Sequence, residues 1–325
     1  MPHTPGRVAP DTAAEPTVTE PVRPIRRKRG LRLTLLSAAS AIVLLGGAAA
    51  ASFAYVNHEV GSIPRIPVSF TAETTGTAGP VTVLLTGYQL GGSGMIMLLH
   101  LNADHQGGGV VSIPPQTEVQ VAGHGRMQLS NALAVGGPSL VVRTVQSLTG
   151  VHINHYARVN FSTVAATIDA LGGVGVDVPQ AATAFGYQFK AGVEQVNGGE
   201  AMAYARQLNL TGAQRVRRQQ ALLRAILTKV ASRRLLTNPV TTVKVLNAFT
   251  RMLTVDRSFT STQLESLATE MGSLSPSAAA YVTAPVTAGT LEQPEASQLW
   301  AAIKQDSMIA FAQRYPSAVT PGAIG

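Results

Sequence analysis

Residues 33–56 read LTLLSAASAIVLLGGAAAASFAYV, 24 positions without a charged side chain. A helix of that length crosses the ~30 Å hydrocarbon layer of a bilayer. The run therefore divides the chain into a short head and a long body on opposite sides of a membrane. Arg26, Arg27, Lys28, Arg29 and Arg32 precede it, whereas only Glu59 and Arg65 follow closely. Basic flanks are retained in the cytoplasm, which places the N-terminus there and everything after about Asn57 outside. A cleaved signal peptide is the competing reading, since Ala48 to Ala51 offers small residues for cutting. Signal-peptide cores run only ~7–15 apolar residues, however, and this run is longer and follows a long tail.

The body is long enough to bury a full core. The formal charge of +8 divides evenly, because residues 1–32 hold seven basic and three acidic side chains and residues 57–325 hold eighteen and fourteen. The exported part is thus only mildly basic, and the high pI does not point to nucleic acid. The short head has no helix-turn-helix pattern that could read a groove. The absence of cysteine agrees with an exported domain held by its core rather than by disulfides.

Composition and periodicity set the expected organisation. Residues 1–32 read as a disordered cytoplasmic tail, 33–56 as the membrane helix, and 57–80 as a Pro/Gly/Thr-rich stalk. The extracytoplasmic domain follows over 81–306, with 307–325 as a C-terminal tail. Within the domain, Val81–Gly87, Met95–Leu101 and Gly109–Ile113 are short apolar runs of strand type. Helical spacing over Pro138–Leu148, a strand at Tyr156–Phe161, a helix over Ser162–Leu171 and a strand at Gly175–Pro179 come next. A long helix is predicted over about Gly212–Leu235, with Val216, Gln220, Leu223, Leu227 and Val230 facing inward. Two further helices, Ser261–Met271 and Pro294–Ala312, bracket a strand at Ala280–Ala284. Alternation of this kind indicates an α/β sandwich around a central sheet.

From Ala201 to Val255 there are ten Lys or Arg residues and no Asp or Glu. Arg215, Arg218 and Gln219 are spaced i, i+3, i+4, so a helix raises them from one face as a row of donors. Guanidinium groups grip phosphate oxygens in two-pronged geometry. The plain alternative is a solvated basic helix.

Several phrases occur in a fixed order: VTVLLTG, MLLHLN, SIPPQT, GGPSLVVRTVQSLTGVHINHY, IDALGGVGVDVP, VNGGEAMAYAR and RVRRQQ. Together, over about Val81 to Asp306, the chain resembles the LytR-CpsA-Psr family of bacterial cell-envelope proteins. The resemblance implies a three-layer α/β/α sandwich with a central mixed sheet, preceded by one N-terminal transmembrane helix in the bacterial plasma membrane. It also implies binding of a polyprenyl-pyrophosphate-linked glycan and transfer of its phosphoglycosyl part to a cell-wall acceptor such as peptidoglycan, with Mg²⁺ as the family's metal. Arg206, Arg215, Arg218 and Gln219 match the family's positions for holding the pyrophosphate, and a hydrophobic channel would take the prenyl tail.

The chain departs from the family where acids are expected. Gln89, Gly94, Gln116 and Gly212 stand at the usual carboxylate positions, Leu208 replaces a second arginine, and Gln128 replaces a lysine. Neutral amides and glycine cannot offset the dehydration of Mg²⁺. Glu118 and Arg126 are candidate substitutes, against the default of a surface Glu and a loop Arg. Two readings follow: an enzyme of the phosphoglycosyl transferase or pyrophosphatase type, or a catalytically inactive module that binds lipid-linked precursors or regulates active relatives. His152 and His155 enter a strand three apart and so face opposite sides, which argues against a metal pair. Gly91-Gly92-Ser93-Gly94 lacks the Gly-Lys-Ser/Thr ending of a phosphate loop.

Overall fold

The computed structural model describes residues 58–70, 79–88, 94–207, 212–231, 239–274 and 278–319. The expected tail and membrane helix, Gln89 and Leu208 lie outside these residues. Among the described residues no helix is long and apolar enough to cross a membrane.

Strand β1 (Arg65–Ile66) is followed by β2 (Val81–Tyr88), β3 (Met95–Leu101), β4 (Gly108–Ser112) and the hairpin of β5 (Glu118–Val121) and β6 (Gly125–Gln128). Helix α1 (Leu129–Thr149) leads to β7 (His155–Asn160), α2 (Phe161–Ala170) and β8 (Val174–Val178). A small hairpin, β9 (Ala182–Ala184) and β10 (Tyr187–Phe189), precedes β11 (Gly192–Val196) and α3 (Gly198–Arg206). Then come α4 (Gly212–Ala231), α5 (Pro239–Met252), β12 (Leu253–Asp256), α6 (Ser261–Ser273) and β13 (Ala279–Thr283). The hairpin β14 (Val286–Thr287) and β15 (Thr290–Leu291), α7 (Glu295–Lys304) and α8 (Met308–Arg314) complete the order.

The protein is a mixed α/β fold whose central sheet has seven strands in the order β1-β12-β7-β2-β3-β4-β13. The outer pairs β1/β12 and β4/β13 and the inner pair β2/β7 are parallel, while β3 runs against both neighbours and β12 against β7. Hence β7, β2, β4 and β13 all end at one edge of the sheet, the edge where open α/β sheets gather ligands.

Period-two alternation assigns the two faces. Val83, Leu85, Met95 and Met97 point to one core, shared with Val164 and Ile168 of α2, Ala201–Ala205 of α3, Leu222 and Ile226 of α4 and Leu267 of α6. Leu84, Ile96, Leu98 and Val111 point to the other, shared with Val141 and Val145 of α1, Leu299 and Trp300 of α7 and Phe311 of α8. Helices therefore cover both faces.

Several sequence-derived boundaries shift. Helix α1 begins at Leu129, well ahead of the expected Pro138, and is kinked at Gly137, whose φ of 64° and ψ of −163° interrupt the helical turns just before the proline. The segment expected over Pro294–Ala312 is two helices, since Asp306 takes φ 53° between α7 and α8. Part of the segment read as a stalk is built into the domain: Val60 and Ile63 are buried, and Arg65–Ile66 pairs with β12. Part of the segment read as a C-terminal tail likewise packs, through buried Met308, Phe311 and Ala312 of α8.

Candidate functional site

Helix α3 is pinned at its start. Asn197 Oδ1 accepts from the Glu200 N–H at 3.0 Å, and Glu200 Oε2 accepts from the Asn197 N–H at 2.8 Å, a reciprocal capping box. Asp169, at the end of α2, accepts the Gly198 N–H at 2.8 Å. A Cβ on Gly198 would sit 2.1 Å from the Ala165 carbonyl oxygen, so glycine is required where α3 meets α2. Ala201 to Ala205 are buried behind this clamp, and Arg206 is the last helical residue.

Arg206 is half-buried, and its Nε is sealed from solvent with no hydrogen-bond acceptor among the described residues. The adjoining Gln207 Oε1, an acceptor, is likewise sealed and has no donor among the described residues. Such orphaned groups are rare in native proteins and cost about 1–3 kcal/mol each. A shielded guanidinium N–H without an acceptor is a place where an anionic oxygen would be stabilised.

Helix α4 packs beside α3. Arg218 Nη1 donates to the Tyr204 carbonyl oxygen at 3.3 Å, and its guanidinium carbon lies 4.6 Å from the centre of the Tyr204 ring. The contact ties Arg218 to the turn of α3 that ends in Arg206. Burial pulls the Arg218 pKa down, opposed by Tyr204. Burial also pushes the Tyr204 phenol up, opposed by Arg218, and its hydroxyl donates to the Asp177 carbonyl at 2.8 Å. Arginine still holds its proton in such a setting. No carboxylate among the described residues forms an ion pair with Arg206 or Arg218. Arg215 sits half-buried one turn before Arg218.

The inward stripe of α4 is Val216, Gln219, Gln220, Leu222 and Ile226, with Leu223 partly buried. The side chains of Leu227 and Val230 lie outside the description. Gln219 is 9% exposed, so it belongs to the buried side of the row predicted for it. Gln220 is fully buried and donates to the Val282 carbonyl at 2.6 Å, fastening α4 to β13. Arg224 lies 5.5 Å from the centre of the Tyr281 ring. These tyrosine platforms under Arg218 and Arg224 were not singled out from sequence. The Ala-Tyr-Ala-Arg phrase was the one available signal, and it did not reveal which residue the ring would meet.

Glu118 and Arg126 pair with each other across the β5–β6 hairpin, Nε to Oε2 at 3.3 Å, with exposed side chains. An ion pair so exposed contributes little. Glu118 also lines a cavity of about 310 Å³ with Gln116, Gln128, Val286, Ala288 and Gly289. A second cavity of about 240 Å³ shares Gln116 and reaches Arg217, Thr283, Glu292 and Glu295. Neither is lined by Arg206, Arg215, Arg218 or Gln219. The donors around Gln116 do not fit Mg²⁺, because two neutral amides and one carboxylate already paired with Arg126 make a poor hard-oxygen cage.

The two histidines part as expected. His152 is exposed, while the His155 ring stacks on Phe259 at 4.1 Å with 6° between planes. His155 Nδ1 is 3.4 Å from Asp256 Oδ2, a contact without hydrogen-bond geometry. Asp256 is a buried structural acceptor of the Tyr156, Ser258 and Phe259 N–H groups. Burial alone would raise its pKa, but His155, Ser258 and the Tyr156 amide together hold it below the ordinary carboxylate value.

Comparison with known proteins agrees with the fold. A probable cell wall biosynthesis protein LcpB of Corynebacterium glutamicum is 31% identical over 179 residues, covering 54% of this chain and 41% of the relative. A polyisoprenyl-teichoic acid–peptidoglycan teichoic acid transferase TagU of Bacillus mycoides is 32% identical over 162 residues, covering 47% and 53%. The chain thus spans about half the length of the curated relatives it matches. The solved structure of TagT bound to LIIa-WTA shares the fold, with a TM-score of 0.61 at 20% identity over 74% of this chain and 99% of that one. The family model described as LytR_cpsA_psr matches residues 63–307, and with that match over most of its length the chain belongs to the LytR_cpsA_psr family.

Proposed function

We propose that this protein binds a polyprenyl-pyrophosphate-linked glycan at the outer face of the bacterial plasma membrane and acts in attaching glycopolymer to the cell wall, with peptidoglycan as the acceptor. Arg206, Arg215 and Arg218 grip the diphosphate, with Gln219 behind them as a hydrogen-bonding support. The observation that carries the reading is the sealed, acceptor-less Nε of Arg206 at the end of the helix whose Tyr204 holds the partly desolvated Arg218, neither arginine with a counter-ion among the described residues. Half-buried guanidinium groups without a carboxylate partner favour an arriving anion. The relatives named as transferring teichoic acid from a polyisoprenyl carrier to peptidoglycan support the choice of ligand class.

Residues 33–56 anchor the chain in this reading, with the N-terminus in the cytoplasm. The protein's own residues bind and orient the substrate. No bond-breaking step is routed through a metal, because the acids of the family pattern are Gln89, Gly94, Gln116 and Gly212 here. That substitution favours a second reading, a binding module that holds lipid-linked precursors or regulates active relatives without turnover.

The test is mass spectrometry of lipid co-purified with the full-length chain and with its Arg206→Ala, Arg215→Ala, Arg218→Ala triple variant. Pyrophosphate-linked lipid is expected with the first and at least tenfold less with the second; equal recovery removes the assignment. Phosphate release from a short polyprenyl pyrophosphate, with and without Mg²⁺, separates the two readings. Metal-dependent turnover eliminates the binding module.

A further inference from the structure

The cavity of about 240 Å³ lies at the edge where β4 and β13 end. Its walls come from Pro114 and Gln116 after β4, from Thr283 to Thr287 after β13, and from Arg217 on the outer side of α4. Glu292 and Glu295, at the start of α7, form another part of the wall. Opposite charges thus line one small hollow.

Those charges do not neutralise one another. Among the described residues no ion pair joins Arg217 to Glu292 or Glu295. Arg217 is exposed and spends one N–H on the Ser317 carbonyl, at 3.3 Å, which leaves most of its five donors available. Glu292 accepts from the Thr287 hydroxyl. Burial, and then the neighbouring Glu292, pushes the Glu295 carboxyl up, so a cation beside the pair would relieve it.

Thr283 forms part of the wall, but its hydroxyl does not open into the hollow. Its Oγ1 is shut off from solvent and has no hydrogen-bond partner among the described residues, although the residue lines this cavity. Its register neighbour on β4, Ser112, is 1% exposed and has an orphaned hydroxyl too.

We propose that this cavity binds a zwitterionic amino-acid group, an ammonium and a carboxylate on one carbon. The ammonium sits against Glu292 and Glu295, and the carboxylate takes the open N–H groups of Arg217. A lone anion would be repelled by two carboxylates, and a lone cation would be repelled by the guanidinium. A volume below the roughly 300–1,000 Å³ usual for drug-sized ligands suits one such group rather than a polymer segment. The site is separate from the arginines of the proposed lipid site and does not depend on that reading. If both hold, the natural source of the group is a peptide of the wall acceptor.

The test is calorimetric titration of the full-length chain with alanine, N-acetylalanine, alaninamide and Mg²⁺, followed by a short peptide whose diamino-dicarboxylate side chain ends in the same zwitterion. Alanine or that peptide should bind saturably, and each blocked form at least tenfold more weakly. Tighter binding of the peptide than of alanine identifies a wall peptide as the source, and the reverse identifies the free amino acid. Arg217→Ala should erase the preference for alanine over alaninamide, and Glu295→Gln the preference over N-acetylalanine. The ligand series on the unaltered protein stands even if a variant misfolds. Arg206→Ala with Arg218→Ala should leave these titrations unchanged, so failure of the lipid site is distinguishable. Equal binding of the three alanine forms, no binding of alanine or the peptide, or displacement of alanine by Mg²⁺ overturns the proposal.

Discussion

The two faces of the central sheet solve different problems. Against α1, α7 and α8 the strands bury an almost wholly aliphatic layer, in which Leu84, Leu98, Val111, Val141, Leu299 and Ile303 are completely or almost completely shielded. Its prominent polar contacts, Thr86 with Tyr156 at 2.6 Å and His100 with Thr82 and Asp306 at 2.9 Å each, are internally satisfied. Against α2 to α6 the layer is interrupted by charge and amide: Arg218 on Tyr204, Arg224 on Tyr281, Gln220 on Val282, and Arg206 with an unsatisfied Nε. The first face is optimised for burial. The second gives up some burial to seat half-exposed cations, as the proposed lipid site requires.

The sharpest way to break this contrast is Leu98→Ala. On the aliphatic face it should cost about 3 kcal/mol through transfer and cavity formation. Denaturant midpoints would show it, with lipid retention unchanged below the melting range. A loss near zero would mean that this face is not the stability reserve.

Arg218→Lys tests the other face. It keeps the charge but not the planar fork over Tyr204, so retention of pyrophosphate-linked lipid should fall about tenfold, roughly 1.4 kcal/mol. Thermal stability should change little. Equal losses in stability and binding would merge the two faces into one role.

A smaller effect comes from His100 on β3, which is 2% exposed between Thr82 and Asp306. Burial lowers its pKa, partly opposed by Asp306. The folded state therefore favours the neutral ring. Its stabilising effect is complete above the unfolded value of about 6.5 and declines as pH falls below it, because the unfolded chain then takes up the proton more readily. Stability measured from pH 7.5 down to pH 5 should decline, and His100→Gln should flatten that slope. An unchanged slope would assign the acid sensitivity elsewhere.

Much of the sheet was legible in the sequence, because β2, β3, β4 and β13 are short, mainly apolar runs of the kind that strands buried on both faces require. The β5–β6 hairpin and α3 were not. Val119 and Val121 are the only buried positions of β5, and α3 is nine residues rich in Ala and Gly, too short for periodicity to speak. In the site, the Arg215, Arg218, Gln219 spacing correctly put the three on one stretch of helix. It could not say that Gln219 turns inward while Arg218 lies on a tyrosine from another helix, since that depends on how α3 and α4 meet. The mixed-charge cavity was invisible because Arg217, Thr283 and Glu295 are far apart along the chain.

The clamp at the foot of α3 has a mechanical consequence. From Gly198 to Arg206 the helix acts as a strut about 12 Å long, bolted at the base by Asp169, Asn197 and Glu200. Where its tip points is decided at its hinge end. The Asp169 and Asn197-Gly198 phrases, which touch no ligand, would therefore set the aim of the guanidinium, and loosening a bolt would show first as a misdirected Arg206 in a protein that still folds.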